Sequence, residues 1–125
     1  MTKENKPNQD FKQDHKSQVL WAAECAERVL HYFEKEYPRD DRPRKAIEAA
    51  RAWVRGEIKV GEARAAAIAA HAAARDAENP AARAAARAAG HAAATVHVAG
   101  HAPHAASYAN AAESLAVEKS KKKNH

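Results

Sequence analysis

GEARAAAIAAHAAARDAENPAARAAARAAGHAAATVHV, Gly61 to Val98, decides the fold of this 125-residue chain. Alanine has the highest helix propensity and loses no side-chain entropy on folding. Two alanine-rich runs separated by Glu78-Asn79-Pro80 therefore read as two helices. Asn79 suits the N-cap of the second, and Pro80 its first turn, where no backbone donor is missed. The first run is expected over about Gly61 to Ala77 and the second to about Val98. The two also align with each other, Arg64 with Arg83 and His71 with His91, with Gly90 as one extra residue. Small side chains let helices approach at the short end of the usual spacing of about 8–10 Å. A closely packed alanine-rich hairpin is the expected core, covered by Trp21, Leu30, Phe33, Ile47, Trp53, Val54 and Ile68.

Working outward, SQVLWAAECAERVLHYFEKEY carries Val19, Ala23, Ala26, Leu30, Phe33 and Tyr37 at three- and four-residue steps, one face of a helix. Ser17 is its expected N-cap and Pro38 its end. A further helix follows Asp40-Asp41, either of which suits its cap. Pro43 sits in the first turn, Ala46, Ile47, Ala50, Trp53 and Val54 form the stripe, and Gly56 ends it. Gly100 and Pro103 punctuate before a last helix, to about Val117. No segment alternates as a strand does. The expected fold class is all-α, a compact bundle of about five helices. Residues 1–16 read as a disordered or loosely helical tail, 17–118 as one helical domain, and 119–125 as a basic disordered tail.

The net charge of +5 belongs to the ends. Residues 1–16 hold four lysines against three acids, and 119–125 hold four lysines and no acid, which leaves 17–118 neutral. A nucleic-acid-binding domain needs its excess positive charge on the folded surface, so nucleic acid is disfavoured as a partner, although neutrality overall leaves room for a local patch. No run reaches the ~18 apolar residues of a membrane span, and the N-terminus has no apolar signal region. With a lone cysteine, Cys25, these features lead us to expect a cytoplasmic protein.

Within this frame the segments WAAECAERVLHYFEKEYPRDDRPRKAIEAARAWVRGEI, EARAAAIAAHAAARDA and AARAAARAAGHAAATVHVAGHA resemble the immunity-five-like family, small helical immunity proteins of bacteria and archaea. The resemblance runs from about Val19 to Ala112 and is most specific in RPRKAIEAARAW and AGHAAATVHVAGHA. It implies a small helical domain and a non-enzymatic protein that binds a protein partner, a cognate bacterial toxin. It supplies no catalytic or binding residues, and the tails lie outside it.

Two constellations carry candidate chemistry. Transition metals take imidazole nitrogens, so His71 and His91, each near the middle of its helix and joined by His97, are the candidate metal ligands. The alternative function is thus a metal-binding or acid/base enzyme using His71 and His91 across two helices, with zinc or another transition metal as cofactor. The competing reading has these imidazoles hydrogen-bonded in a packed interface, with no cofactor. No HExxH or paired CxxC signature favours the metal. His97 and His101 are four apart, but Gly100 intervenes, and His101 and His104 are expected to face solvent at the turn. Cys25, six residues from His31, reads as a packing residue. The second constellation is Arg51, Trp53 and Arg55, whose composition is that of an interaction hot spot and which are the candidate partner-binding residues. Other arginines are expected on a solvated charged face, with Arg44 pairing to Glu48 one turn on.

Overall fold

The computed structural model describes the backbone of residues 7–123 and the side chains of 14–121. Five α-helices follow one another: α1 (Pro7–Glu34), α2 (Arg42–Val54), α3 (Val60–Asp76), α4 (Pro80–Ala94) and α5 (Ala102–Lys123). A 3₁₀ turn, Ala99–His101, precedes α5, and no strand occurs among the described residues. None of these helices is long and apolar enough to cross a membrane.

The local signals act largely as their chemistry requires. Asn79 caps α4, its Oδ1 accepting from Ala82 N at 2.9 Å, and Pro80 opens the helix. Gly56 ends α2 in the left-handed region at φ 76°, which a Cβ would disfavour. At the start of α2, Asp41 occupies the cap position without a side-chain bond, and it is Asp40 Oδ1 that accepts from Arg42 N at 3.1 Å.

The first and last helices run further towards the chain ends than the expected bounds of Ser17 and about Val117. Ser17 is not a cap, because α1 is already helical from Pro7. Lys, Gln and Asp side chains do not oppose helix once a packed segment propagates it. His15 fastens this extension: its Nε2 lies 2.7 Å from Thr95 O, and its ring lies 4.9 Å from that of Trp53. Likewise α5 runs through Leu115 to Lys123, so the expected disordered tail is helical over residues 119–123. Residues 1–6 and 124–125, parts of the two expected tails, lie outside the described residues. At the other boundaries, α1 stops at Glu34 rather than Tyr37, and α4 at Ala94 rather than Val98.

The alanine-rich hairpin forms, and α4 takes the centre of the bundle. It packs against each of the other four helices, and eleven of its residues, all Ala or Gly, are buried. Only a helix carrying methyl groups on most of its circumference admits so many close neighbours. Leu30, Phe33 and Ile47 cover this centre and are fully buried, whereas Trp53 and Val54 are partly buried. Trp21 and Ile68, expected in the covering layer, are instead 48% and 61% exposed. Alanine packing leaves too little volume at the centre to need them, and each faces outward from a flanking helix.

Tyr37 ties the two halves together. Its hydroxyl accepts from Glu78 N at 2.9 Å and Asn79 N at 3.2 Å, joining the α1–α2 connection to the α3–α4 turn. Tyr37→Phe leaves both donors without this acceptor, so it should lower stability by about 1 kcal/mol, read as a lower urea midpoint at unchanged slope.

Candidate functional site

Helices α3 and α5 flank α4 without touching each other, so one side of α4 stays open. Arg83, Arg87 and His91 lie along that side at four-residue spacing, and they are the α4 residues after Pro80 that are not buried. Ile68, His71 and Arg75 border it from α3, and His104 and Tyr108 from α5. The result is one continuous face whose upper end is a cluster of imidazoles.

His91 is the hub of that cluster. Its ring meets His71 edge-on at 4.8 Å, lies 5.2 Å from His104, and stacks on Tyr108 at 5.3 Å with the planes 7° apart. His91 Nδ1 lies 3.0 Å from His101 Nδ1. One nitrogen of that pair must donate and the other accept, so the bond requires at least one neutral ring. His71 approaches so closely because residue 90 is glycine: a Cβ there would fall 2.7 Å from His71 Cε1 and Nε2.

Burial and neighbouring cationic groups disfavour the protonated forms of His71, His91 and His101. Burial pushes the His91 pKa down, and the positive charges of His71, His101, His104 and Arg87 push it further, to about 4. His71 is lowered by burial first and then by Arg87, Arg75 and His101; His101 is lowered by burial, His104 and His97. No carboxylate offsets these effects, because residues 63–75 and 80–112 contain no Asp or Glu.

The candidate metal ligands are thus partly brought together. His71 and His91 meet across α3 and α4 as expected, but through ring packing. His97 is exposed, with its ring 6.2 Å from His101. Among the described residues, no group of three or more His, Cys, Asp or Glu is placed to hold a metal ion. His101 and His104 were expected to face solvent at the turn: His104 is exposed, in the first turn of α5, whereas His101 is half-buried, and both rings lie 5.2 Å from that of His91. The turn before α5 carries them back over α4, a placement that spacing along the chain does not reveal. Tyr108 is a member the sequence reading missed; its position four residues after His104, on the same face of α5, was the available signal. Cys25 is buried and free, and the His31 ring packs on Tyr32, 4.0 Å away.

The arginines divide sharply between the two sides of the bundle. Those of α2 are paired. Arg42 binds Asp40 at 2.7 Å and Asp76 at 3.0 Å, and Arg51 binds Glu27 at 2.8 Å. Arg44 reaches Glu34 at 2.9 Å and Glu27 at 3.1 Å across to α1, in place of the expected partner Glu48. Burial pushes the Glu27 carboxyl up, but Arg51 and Arg44 together hold it below its ordinary value. Of the candidate partner-binding residues, Arg51 is therefore turned onto Glu27. Trp53 is half-buried against His15, and Arg55 is exposed and joined to Glu57 at 2.9 Å. By contrast Arg64, Arg75, Arg83 and Arg87 have no carboxylate within 4 Å among the described residues. Arg83 donates to Ala77 O at 2.8 and 3.0 Å.

No curated protein and no solved structure matches the chain. A family model described as Imm-5 like putative immunity protein matches residues 11–125. That span extends beyond Val19–Ala112 at both ends and takes in the basic C-terminus, which the resemblance read from the sequence had left out. Covering nearly the whole chain, the match shows that the protein belongs to the Imm-5 like putative immunity protein family.

Proposed function

We propose that this protein is a non-enzymatic immunity protein that binds a cognate bacterial toxin in the cytoplasm and neutralises it by covering its working surface. The observation that carries the reading is the family match over residues 11–125. The fold is consistent with it. A bundle with α4 packed against four helices presents a preformed surface, which lowers the backbone ordering cost of binding. Its surface also carries groups that contribute strongly to protein interfaces: Trp21 and Ile68 are exposed, and the arginines of α3 and α4 have no carboxylate within 4 Å among the described residues.

The test is rescue in the native host's close relatives or in a heterologous bacterium. Toxin genes encoded beside this one are expressed with and without the chain. Growth should be restored by the chain, and toxin and chain should co-purify as a stoichiometric complex. Full-level expression of the chain with no rescue against any neighbouring toxin would overturn the reading.

A further inference from the structure

The geometry points to the open α3–α4–α5 face as the docking surface for an acidic segment of the protein partner, with Arg75 and Arg87 receiving its carboxylates and Ile68 and Tyr108 its apolar side chains. This rests on the immunity reading for the partner being a protein, and it adds where that protein binds and what chemistry it presents.

Uneven ion pairing is the main argument. Residues 17–118 are neutral in sum and acids and bases are interspersed along the chain, but the arginines of α2 are paired and those of α3 and α4 have no carboxylate within 4 Å among the described residues. The acids of α1 and the α1–α2 connection, Glu27, Glu34 and Asp40, are engaged by Arg44, Arg51 and Arg42. Glu62, Asp76 and Glu78 flank Arg64, Arg75 and Arg83 in sequence, yet none of them lies within 4 Å of an arginine of α3 or α4 among the described residues. Arg83 and Arg87 are also one helical turn apart, a like-charge arrangement that disfavours the isolated helix. Such a face is electrostatically incomplete, and an acidic surface completes it.

The kind of cation and its neighbours narrow the partner further. No lysine occurs between Lys59 and Lys119, so the face offers only guanidinium groups, whose planar donors match a carboxylate bidentately. Apolar groups accompany them on the flanking helices: Ile68 of α3 is 61% exposed, and Tyr108 of α5 is partly buried and stacked on His91. Arginine interleaved with aliphatic and aromatic side chains is the composition of a protein interface core. A phosphate-tracking surface would carry cations without such an apolar floor and would draw on the lysines that lie instead at the chain's ends.

The experiment uses the full chain, labelled with nitrogen-15, titrated with a short poly-L-glutamate peptide, and in parallel with single-stranded poly-dT of equal charge. Saturable amide shifts should map to the outward face of α3, α4 and α5 around Arg75 and Arg87. The double variant Arg75→Glu/Arg87→Glu should keep the helical spectrum and lose affinity by about tenfold or more. Lys119→Glu/Lys121→Glu and Arg55→Glu should each bind as the wild type does. Three outcomes overturn the proposal: shifts confined to the terminal lysines, tighter binding of poly-dT at the same amides, or the same shifts appearing on concentration alone, which would make a second copy the occupant. Poly-glutamate binding is read without any toxin. It can therefore fail while toxin rescue succeeds, and rescue can fail while the face still binds.

Discussion

Gly90→Ala should lower stability by about 1–2 kcal/mol, although alanine favours a helix interior over glycine by about 1 kcal/mol. The methyl would lie 2.7 Å from two atoms of the His71 ring and 2.9 Å from a third. That ring cannot simply recede. It is wedged edge-on against His91, which is itself stacked on Tyr108. Relief therefore requires either a displaced imidazole, which disturbs its packing on His91, or a wider α3–α4 spacing, which loosens the buried alanine contacts of the two helices. The decisive measurement is a double-mutant cycle with His71→Ala, followed by urea denaturation at pH 8. If the clash is the cause, Gly90→Ala becomes neutral or stabilising once His71 is truncated, and the coupling energy is about 2 kcal/mol. Additive effects of the two substitutions would show that residue 90 acts on the helix alone and that the His71 ring is free to move.

Gly90 also illustrates what the sequence conveyed. Aligning the two alanine runs singled it out as an inserted residue, and it singled out His71 and His91 as equivalents, without saying that the glycine makes room for the opposing ring. The all-helical class, the capped start of α4 at Asn79-Pro80 and the end of α2 at Gly56 were legible because each depends on chemistry within a few residues. The central place of α4 was not. Arg83, Arg87 and His91 recur every four residues and mark the outward side of α4, but alanine on the rest of its circumference does not show how many helices cover it, and nothing in the pattern of α3 marks Ile68 as exposed. For the same reason Trp21 was assigned to the core by size alone. The uneven pairing of the arginines was hidden differently: acids and bases are interspersed along residues 17–118, and only three-dimensional pairing shows which arginines a carboxylate engages. Long-range pairs such as Arg44 with Glu34, or His101 with His91, need the helices placed before they can be seen.

The histidine cluster should make the protein acid-labile well above the pH at which its carboxylates titrate. His91 has a folded-state pKa of about 4, against about 6.5 in the unfolded chain. Between those values the unfolded ensemble binds a proton that the folded state excludes, so the stability this ring contributes is fully present above about pH 6.5 and is lost as pH falls towards 4. His71 and His101 are shifted in the same direction and add to the loss. The groups that face His91 all act one way. From α3 comes His71, from α4 Arg87, and from the turn and α5 His101 and His104, while Tyr108 brings no compensating charge. One pKa unit corresponds to about 1.4 kcal/mol, so His91 alone would cost about 2 kcal/mol between pH 7 and pH 5; solvent screening of a half-exposed ring reduces this to about 1 kcal/mol. Glu27 and Asp40, whose pKa values are held low by arginines, contribute stability that is lost only as pH falls below about 4, so the window from pH 7 to 5 isolates the histidines. Urea titrations across that window should show a falling midpoint in the wild type. In His91→Gln the fall should shrink by about 1 kcal/mol, because an amide keeps a hydrogen-bonding partner for His101 and takes up no proton. An undiminished fall in the variant, or a wild-type midpoint that rises towards pH 5, would mean that the cluster is open enough to protonate in place, and that the positive face of α4 gains charge in acid instead of resisting it.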